Sequence, residues 1–190
     1  MYEEIENIIV VDVEATCDDG GLVPRREMEI IEIGAVVLNR RTLTVTTEFQ
    51  AFVRPVRHPI LTPFCSGLTT IEQADVDAAL TFPEVAAALA DWWAPLAPAI
   101  WGSWGAYDHT QFEQDTAHHG VAFPLPAAHV NIKARFSEQH NTRRRFGMAG
   151  ALRKMGMPLT GTHHRGIDDA RNIVRLTPFA LGLTVGAGPG

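Results

Sequence analysis

Apolar and polar residues along the chain change period several times, and each change marks an element. Residues 7–13, NIIVVDV, are an unbroken apolar, β-branched run between polar flanks, the pattern of a central strand buried on both faces. Two further runs, MEIIEIGAVVLN (28–39) and LTVTTEFQAFVRP (43–55), are joined by the polar NRRT and predict two strands of an antiparallel meander. Helical spacing follows. TTIEQADVDAAL (69–80) places Glu72 three residues after Thr69, and TFPEVAAALADWW repeats the arrangement with Thr81, Pro83 and Glu84, so both predict helices that open on capping boxes. AIWGSWGAYD (99–108) returns to strand character, and HTQFEQDTAHHG predicts a helix ended by Gly120. VNIKARF predicts a short strand or loop, RFGMAGALRKMG a helix ended by Gly156, and GIDDARNIVRLTPF a last helix stopped near Pro178. Three strands followed by helices alternating with strands predict a layered domain, α/β or α+β, around a mixed sheet.

Acidic residues stand where these strands end. Asp12 and Glu14 close the most apolar strand in VVDVEATC, and the period of two puts both on one face, with Val11 and Val13 on the other. Two carboxylates at the end of a buried strand are costly unless a cation neutralises them, and all-oxygen ligands favour magnesium or manganese; an exposed pair on an edge strand is the alternative. Asp108 ends the next strand run, where it can face the same crevice or cap the helix that follows from His109. In HHRGIDDARN (163–172) the pairs His163/Asp168 and His164/Asp169 have equal spacing. At about 100° per residue, Ile167, Ala170, Ile173, Val174 and Thr177 form an apolar face with Asp169 at its edge, whereas Asp168 shares the solvent face with Arg171 and Arg175. Helical phase therefore selects Asp169 as the acid that reaches inward and, in the same register, His164 as its partner. Four carboxylates and a histidine suit hydrolysis of a phosphodiester: acids to hold two divalent ions, and a base for the attacking water.

Composition narrows the classes. With 190 residues, 46% of them hydrophobic, the chain supports one domain, expected over 1–182 with a flexible glycine-rich tail at 183–190. No apolar run reaches the roughly 20 residues of a membrane span, and the opening MYEEIENIIV is acidic where a secretory signal is basic. Cys17 and Cys65 are too few and too far apart in sequence for a disulfide framework or a zinc site, so a cytoplasmic, reducing location is expected. A net charge of −6 argues against a protein that coats long duplex nucleic acid, and leaves room for an enzyme with a local basic patch.

Taken in order, VDVEATC, EIIEIGAVVLN, FVRPVRHPILTPFCSGLTTIEQADVDAALTFPEV, SWGAYD, NIK and HHRGIDDARNI resemble the motifs of the DEDDh branch of the DnaQ-like 3′–5′ exonucleases. Within that branch the chain is most similar to the Eri1-like RNA exonucleases, over about residues 7–176. The resemblance implies a ribonuclease H-like α/β fold, with a central mixed five-stranded sheet flanked by helices and an acidic site at one end of the sheet. It implies two Mg2+ or Mn2+ ions held by Asp12, Glu14, Asp108 and Asp169. Asp12 would bridge both, Glu14 and Asp169 would complete the first site, and Asp108 would serve the second through water. His164 falls on the family's general base. The partner is then a single-stranded or 3′-overhanging nucleic acid, RNA in preference to DNA, and the product a nucleoside 5′-monophosphate.

In the same family the backbone after the first acids meets the terminal sugar, here at Ala15 and Thr16, beside a hydrophobic wedge running from Ile30 to Ile33. Trp104 and Tyr107 are candidates to stack on a base, with core packing as the alternative. Arg165 adjoins His164 and is placed to hold a phosphate oxygen, and Lys133 to flank the site. The three arginines at 143–145, the densest positive cluster, are either a solvated face or a phosphate contact. Two other classes compete with the nuclease. A catalytically silent, nuclease-like binding module would have no need of all five catalytic residues, and a single-zinc hydrolase would rest on His163 and His164, adjacent rings that are expected to diverge.

Overall fold

The computed structural model describes residues 4–126, 128–143 and 145–184, and in it one mixed sheet of six strands runs in the order β4-β3-β2-β1-β5-β6. The strands are β1 (Asn7–Ala15), β2 (Ile30–Asn39), β3 (Val45–Arg54), β4 (Leu80–Thr81), β5 (Ala99–Ser103) and β6 (His129–Asn131). As the meander predicts, β2 is antiparallel to β1 and to β3; β1 is parallel to β5, and β5 to β6. Helices α1 (Pro63–Thr69) and α2 (Gln73–Asp77) follow β3. The others cover the two faces. On one side α5 (Ile132–Gln139), α6 (Met148–Lys154) and α7 (Gly166–Leu181) enclose Ile8, Val10, Val36 and Leu38; on the other, α3 (Phe82–Trp93) and α4 (Tyr107–His119) enclose Ile9, Val11, Val13 and Val37. Alternation along β1 thus feeds two cores, which is why its residues read as one apolar run.

The differences from expectation are local. The sheet has a sixth strand, because Leu80 and Thr81 pair with Val53 and Arg54 at the edge of β3; two residues are too short to register as a period. Thr69 ends a helix instead of opening one. Its helix, α1, starts at Thr62, whose hydroxyl accepts the Cys65 N–H at 3.0 Å, with Pro63 in the first turn. The capping box lies three residues on, between Glu72 and Asp75 of α2, while the Thr81/Glu84 box stands as expected, Glu84 accepting the Thr81 N–H at 2.8 Å. VNIKARF is mostly helical, since the Asn131 side chain accepts the Ala134 N–H at 2.9 Å and so starts α5. Helix α7 runs through Pro178 and ends at Gly182, φ 62°. Proline in the last turns forfeits one backbone hydrogen bond, and Leu176 and Ala180 on either side of it are buried. Of the expected tail, Leu183 packs on the α5–α7 core, and residues 185–190 lie outside the described residues. Among the described residues no helix is long and apolar enough to cross a membrane.

Candidate active site

The point at which α7 meets the sheet sets the geometry. On the α7 face of β1 and β2, Asp12 stands opposite Gly34 and Glu14 opposite Glu32. A Cβ on Gly34 would lie 2.2 Å from the Gly166 and Ile167 backbone, and one on Gly166 would lie 3.0 Å from the Asp12 carbonyl oxygen. Glycine at both positions lets the start of the helix rest on strand backbone. Glu32, fully buried, fixes this landing: it accepts the Gly166 N–H and the Arg165 Nε–H, both at 3.0 Å, and the Gln50 amide at 2.7 Å. Asp169, within the first turn, is thereby carried to β1, and Asp12, Glu14 and Asp169 each offer an oxygen within 4.8 Å of the others.

Asp108 arrives from the opposite layer. Strand β5 stops at Ser103, Gly105 turns the chain at φ 137°, and α4 begins at Tyr107. Asp108 therefore neither ends the strand nor caps the helix, whose N-cap is Ala106; it is buried in the first turn, with Oδ1 accepting the Val13 N–H at 3.1 Å. The paired residues of β1 and β5 stop at Val10 and Gly102, so this N–H lies beyond the reach of the neighbouring strand, and the carboxylate satisfies it.

Burial and mutual repulsion then act together. Desolvation, followed by the charges of Asp108, Glu14, Asp169 and Glu32, pushes Asp12 well above the ordinary carboxylate range. Glu14 is raised to about 8, by burial first and then by Asp169, Glu32 and Asp108. Asp108 is pushed up to about 6 by burial, with the Val13 N–H holding it back, and burial raises Asp169 against the restraint of His163. Arg165, the guanidinium at the helix start, is committed to Glu32. Such a cluster keeps protons unless a cation is supplied. Three converging carboxylates with Asp108 beside them offer oxygen donors only, the chemistry of a hard divalent ion such as Mg2+ or Mn2+.

The histidines depart from the expected register. The ring that takes Asp169 is that of His163, with Nδ1 2.8 Å from Oδ2. His164 gives Asp169 its backbone N–H at 3.1 Å, and its ring stacks on that of His163 with centroids 4.0 Å apart. Helical phase does not extend to this pair, because α7 starts at Gly166 and His164 is left-handed at φ 64°. The same turn overturns the expectation that the two rings diverge, and donors of His163, His164 and Asp169 also come within 4.8 Å of one another. Burial, then the neighbouring His163, lowers the His164 pKa, which leaves a neutral imidazole able to accept a proton. Asp168 does pair with Arg171, at 3.2 Å, and also accepts the Thr162 N–H at 2.8 Å, closing the loop that carries the histidines.

The remaining candidates divide. Ala15 and Tyr107 line a cavity of about 580 Å³ together with Glu14, Cys17, Arg25 and Leu68, so a nucleotide-sized space opens beside the acid cluster. The Thr16 N–H is not free to meet a sugar there, because it goes to the Glu29 carbonyl at 2.8 Å. Ile30, Ile31 and Ile33 form no wedge; they are buried because both faces of β2 are covered. Trp104 follows the core-packing alternative, tilted against Phe136 and donating to the Phe146 carbonyl at 3.1 Å. Arg165 is engaged by Glu32 on one side and lies 5.2 Å over the Phe52 ring on the other, so its fork is not presented to a phosphate. Lys133 occupies the first turn of α5. Cys17 and Cys65, distant in sequence, perturb one another, which raises the first thiol and lowers the second, while the Cys65 thiol donates to the Ala15 carbonyl at 3.7 Å. The sequence pattern sets His163 aside as a flanking residue and does not mark Glu32, Gly34 or Gly166; of these three Glu32 alone left a signal, as a single acid inside the apolar IIEIGAVV.

This arrangement has known counterparts. The family model described as Exonuclease (RNase T) matches residues 9–177. Human 3′-5′ exoribonuclease 1 is 32% identical over 178 residues, 89% of this chain and 50% of that protein. Mouse ERI1 exoribonuclease 3 is 32% identical over 179 residues, 88% of this chain and 51% of that protein. The chain thus spans about half the length of the curated relatives it matches. Among solved structures, the nuclease domain of 3′hExo, a DEDDh family member bound to rAMP, superposes with a TM-score of 0.87 at 30% identity, covering 97% of this chain and 98% of that one.

Proposed function

The chain belongs to the exonuclease family that its residues 9–177 match, and from that membership we propose that it is a metal-dependent 3′–5′ exonuclease. In this reading it hydrolyses phosphodiester bonds at the 3′ end of RNA, in preference to DNA, and releases nucleoside 5′-monophosphates. The observation that carries the reading is the convergence of Asp12, Glu14 and Asp169 within 4.8 Å, with Asp108, Glu14, Asp169 and Glu32 all raising the pKa of Asp12.

Asp12, Glu14 and Asp169 would hold one divalent ion, and Asp12 with Asp108 a second, two Mg2+ or Mn2+ in all. Bound there, such ions would supply positive charge to the oxygen of the attacking water and to the leaving oxygen of the phosphodiester. His164, kept neutral by burial and by His163, accepts the proton of the attacking water. His163 holds Asp169 through Nδ1, and Glu32 holds the start of α7 through the Gly166 N–H. The cavity beside Glu14 takes the terminal nucleotide, with the half-exposed Tyr107 ring as a face for its base. The rAMP carried by the related nuclease domain supports a nucleoside 5′-monophosphate as product, and the two exoribonuclease relatives support the preference for RNA.

The test is to incubate 5′-labelled single-stranded RNA and its DNA counterpart with Mg2+, Mn2+ or EDTA and to resolve the products by length. Stepwise shortening from the 3′ end with either ion, absent in EDTA and in His164→Ala, is the expected result. No trimming with either ion refutes the exonuclease, and binding without trimming would leave the silent binding module in its place. Equal rates on RNA and DNA refute the preference alone.

A further inference from the structure

Of the arginines at 143–145, Arg144 lies outside the described residues, and Arg143 and Arg145 are not among the residues of the acid cluster. Arg143 and Arg145 are exposed, and Arg145 borders two adjoining cavities. The first, about 440 Å³, is lined by Asn141, Thr142, Arg143 and Glu138 among others. The second, about 640 Å³, runs past Phe146 to Arg153, Lys154 and His163. Because the His163 ring is the one bonded to Asp169, this second cavity reaches the acid cluster at its histidine side, as the Tyr107 cavity reaches it at Glu14.

Positive charge is concentrated on this groove. Net charge is −6, and Arg26, Arg41, Arg57, Arg165 and Arg171 each have an acid partner. Arg143, Arg145, Arg153 and Lys154 form no ion pair among the described residues; Lys154 lies 5.9 Å over the Phe146 ring. Cations gathered on one rim, where the lining acid Glu138 is already taken by Arg135, repel one another and attract a polyanion.

We propose that this groove is the track of the substrate strand: it takes the phosphodiesters on the 5′ side of the terminal nucleotide, while that nucleotide occupies the cavity beside Glu14. The proposal rests on the exonuclease reading above and adds where the body of the RNA lies. Arginine and lysine side chains that meet phosphates hold a strand in register without reading its bases, which suits an enzyme that moves along RNA one nucleotide at a time.

The test uses the triple variant Arg145→Ala, Arg153→Ala, Lys154→Ala, all exposed positions, with Arg41→Ala at the opposite end of β2 as a control for loss of a cation away from the groove. Binding of a 5′-labelled RNA of about 12 nucleotides is read by fluorescence anisotropy, in Ca2+ to suppress trimming, over a range of salt. The triple variant is expected to bind about tenfold more weakly and to lose about 2 from the slope of log Kd against log salt, about 0.7 for each phosphate contact removed. Arg41→Ala changes neither. With Mg2+, the rate on the long RNA falls while the rate on a dinucleotide, which has no phosphate beyond the scissile one, is unchanged. Unaltered affinity and salt slope overturn the proposal, as does an equal loss in Arg41→Ala or on the dinucleotide. Polyglutamate or anionic vesicles bound by the parent as tightly as RNA, and lost in the triple variant, would give the groove to another polyanion and likewise overturn it. If the parent trims nothing, the exonuclease reading fails by itself, and the anisotropy still decides the groove.

Discussion

Replacing Glu14 by Gln probes the acid cluster through stability, independently of turnover. In the metal-free protein Glu14 is raised from 4.5 to about 8, first by burial and then by Asp169, Glu32 and Asp108. Between those values the native chain keeps a proton that the unfolded chain has released. The site therefore contributes stability that is present below the unfolded pKa of 4.5 and is lost as pH rises through about 8. At about 1.4 kcal/mol per tenfold change in proton affinity, the limit is about 5 kcal/mol. Glu14 is only partly buried, so water screens the charge and about 2 kcal/mol is the working figure. For a chain of this length, about 1 kcal/mol moves the thermal midpoint by about 2–4 °C. Glu14→Gln is then expected to raise the midpoint of EDTA-treated protein by about 4–8 °C near pH 8, and by little near pH 5. Differential scanning fluorimetry of parent and variant across that range, with and without Mg2+, measures it. The ion is expected to stabilise the parent and to leave the variant nearly unmoved. A variant less stable than the parent at the alkaline end in EDTA, or a difference between them that is flat in pH, would refute the electrostatic account.

Asp169→Asn is expected to abolish both trimming and stabilisation by Mg2+, whereas Asp168→Asn keeps an acceptor for the Thr162 N–H and loses an exposed pair with Arg171, so its rate falls by less than about tenfold; rates of the two on one RNA check this. Gly34→Ala puts a methyl 2.2 Å from the backbone of α7 and is expected to cost about 3 kcal/mol or more in urea unfolding. A cost below about 1 kcal/mol would mean that the helix shifts freely on the sheet. Arg165→Ala leaves the fully buried Glu32 without its cation and is expected to destabilise by about 3–5 kcal/mol, part of which Glu32→Gln in the same chain restores.

Some of this was legible in the residues, and the physical reason separates what was from what was not. The central strand and its two acids were readable from NIIVVDVEA, because alternation and burial belong to a strand and its own neighbours. Asp169 was readable because it and Ile167, Ala170 and Ile173 lie on one helix, whose phase relates them. Roles created by long-range contact were not. Glu32 is one polar position in an apolar run until Arg165 and the Gly166 N–H, more than a hundred residues on, close over it. Asp108 has the sequence position of an N-cap, and only the extension of β1 past its pairing with β5 turns its carboxylate to Val13. The pairing of a histidine ring with Asp169 was not legible for a different reason: His164 is left-handed in a turn ahead of the helix, to which no period applies.

The start of α7 therefore carries more of the site than the end of β1 does. Asp12 and Glu14 stand on one strand and keep their relation whatever packs above them, but Asp169 joins them only while Gly166 rests on Gly34 and Asp12. A cation that binds Asp169 together with Asp12 and Glu14 accordingly favours the docked helix, and by reciprocity a docked helix raises affinity for the cation by the same free energy. The loop closed by Asp168 and Thr162 rides on that helix start and bears both His163 and His164, one bonded to Asp169 and one stacked on its neighbour. His163 is also the wall at which the basic groove meets the acids. Metal affinity, the placement of the proposed base and the mouth of the proposed strand track would thus be coupled through one helix terminus. A mutation there, such as Gly34→Ala, is expected to weaken all three together, whereas removal of Arg153 or Lys154 weakens the track alone.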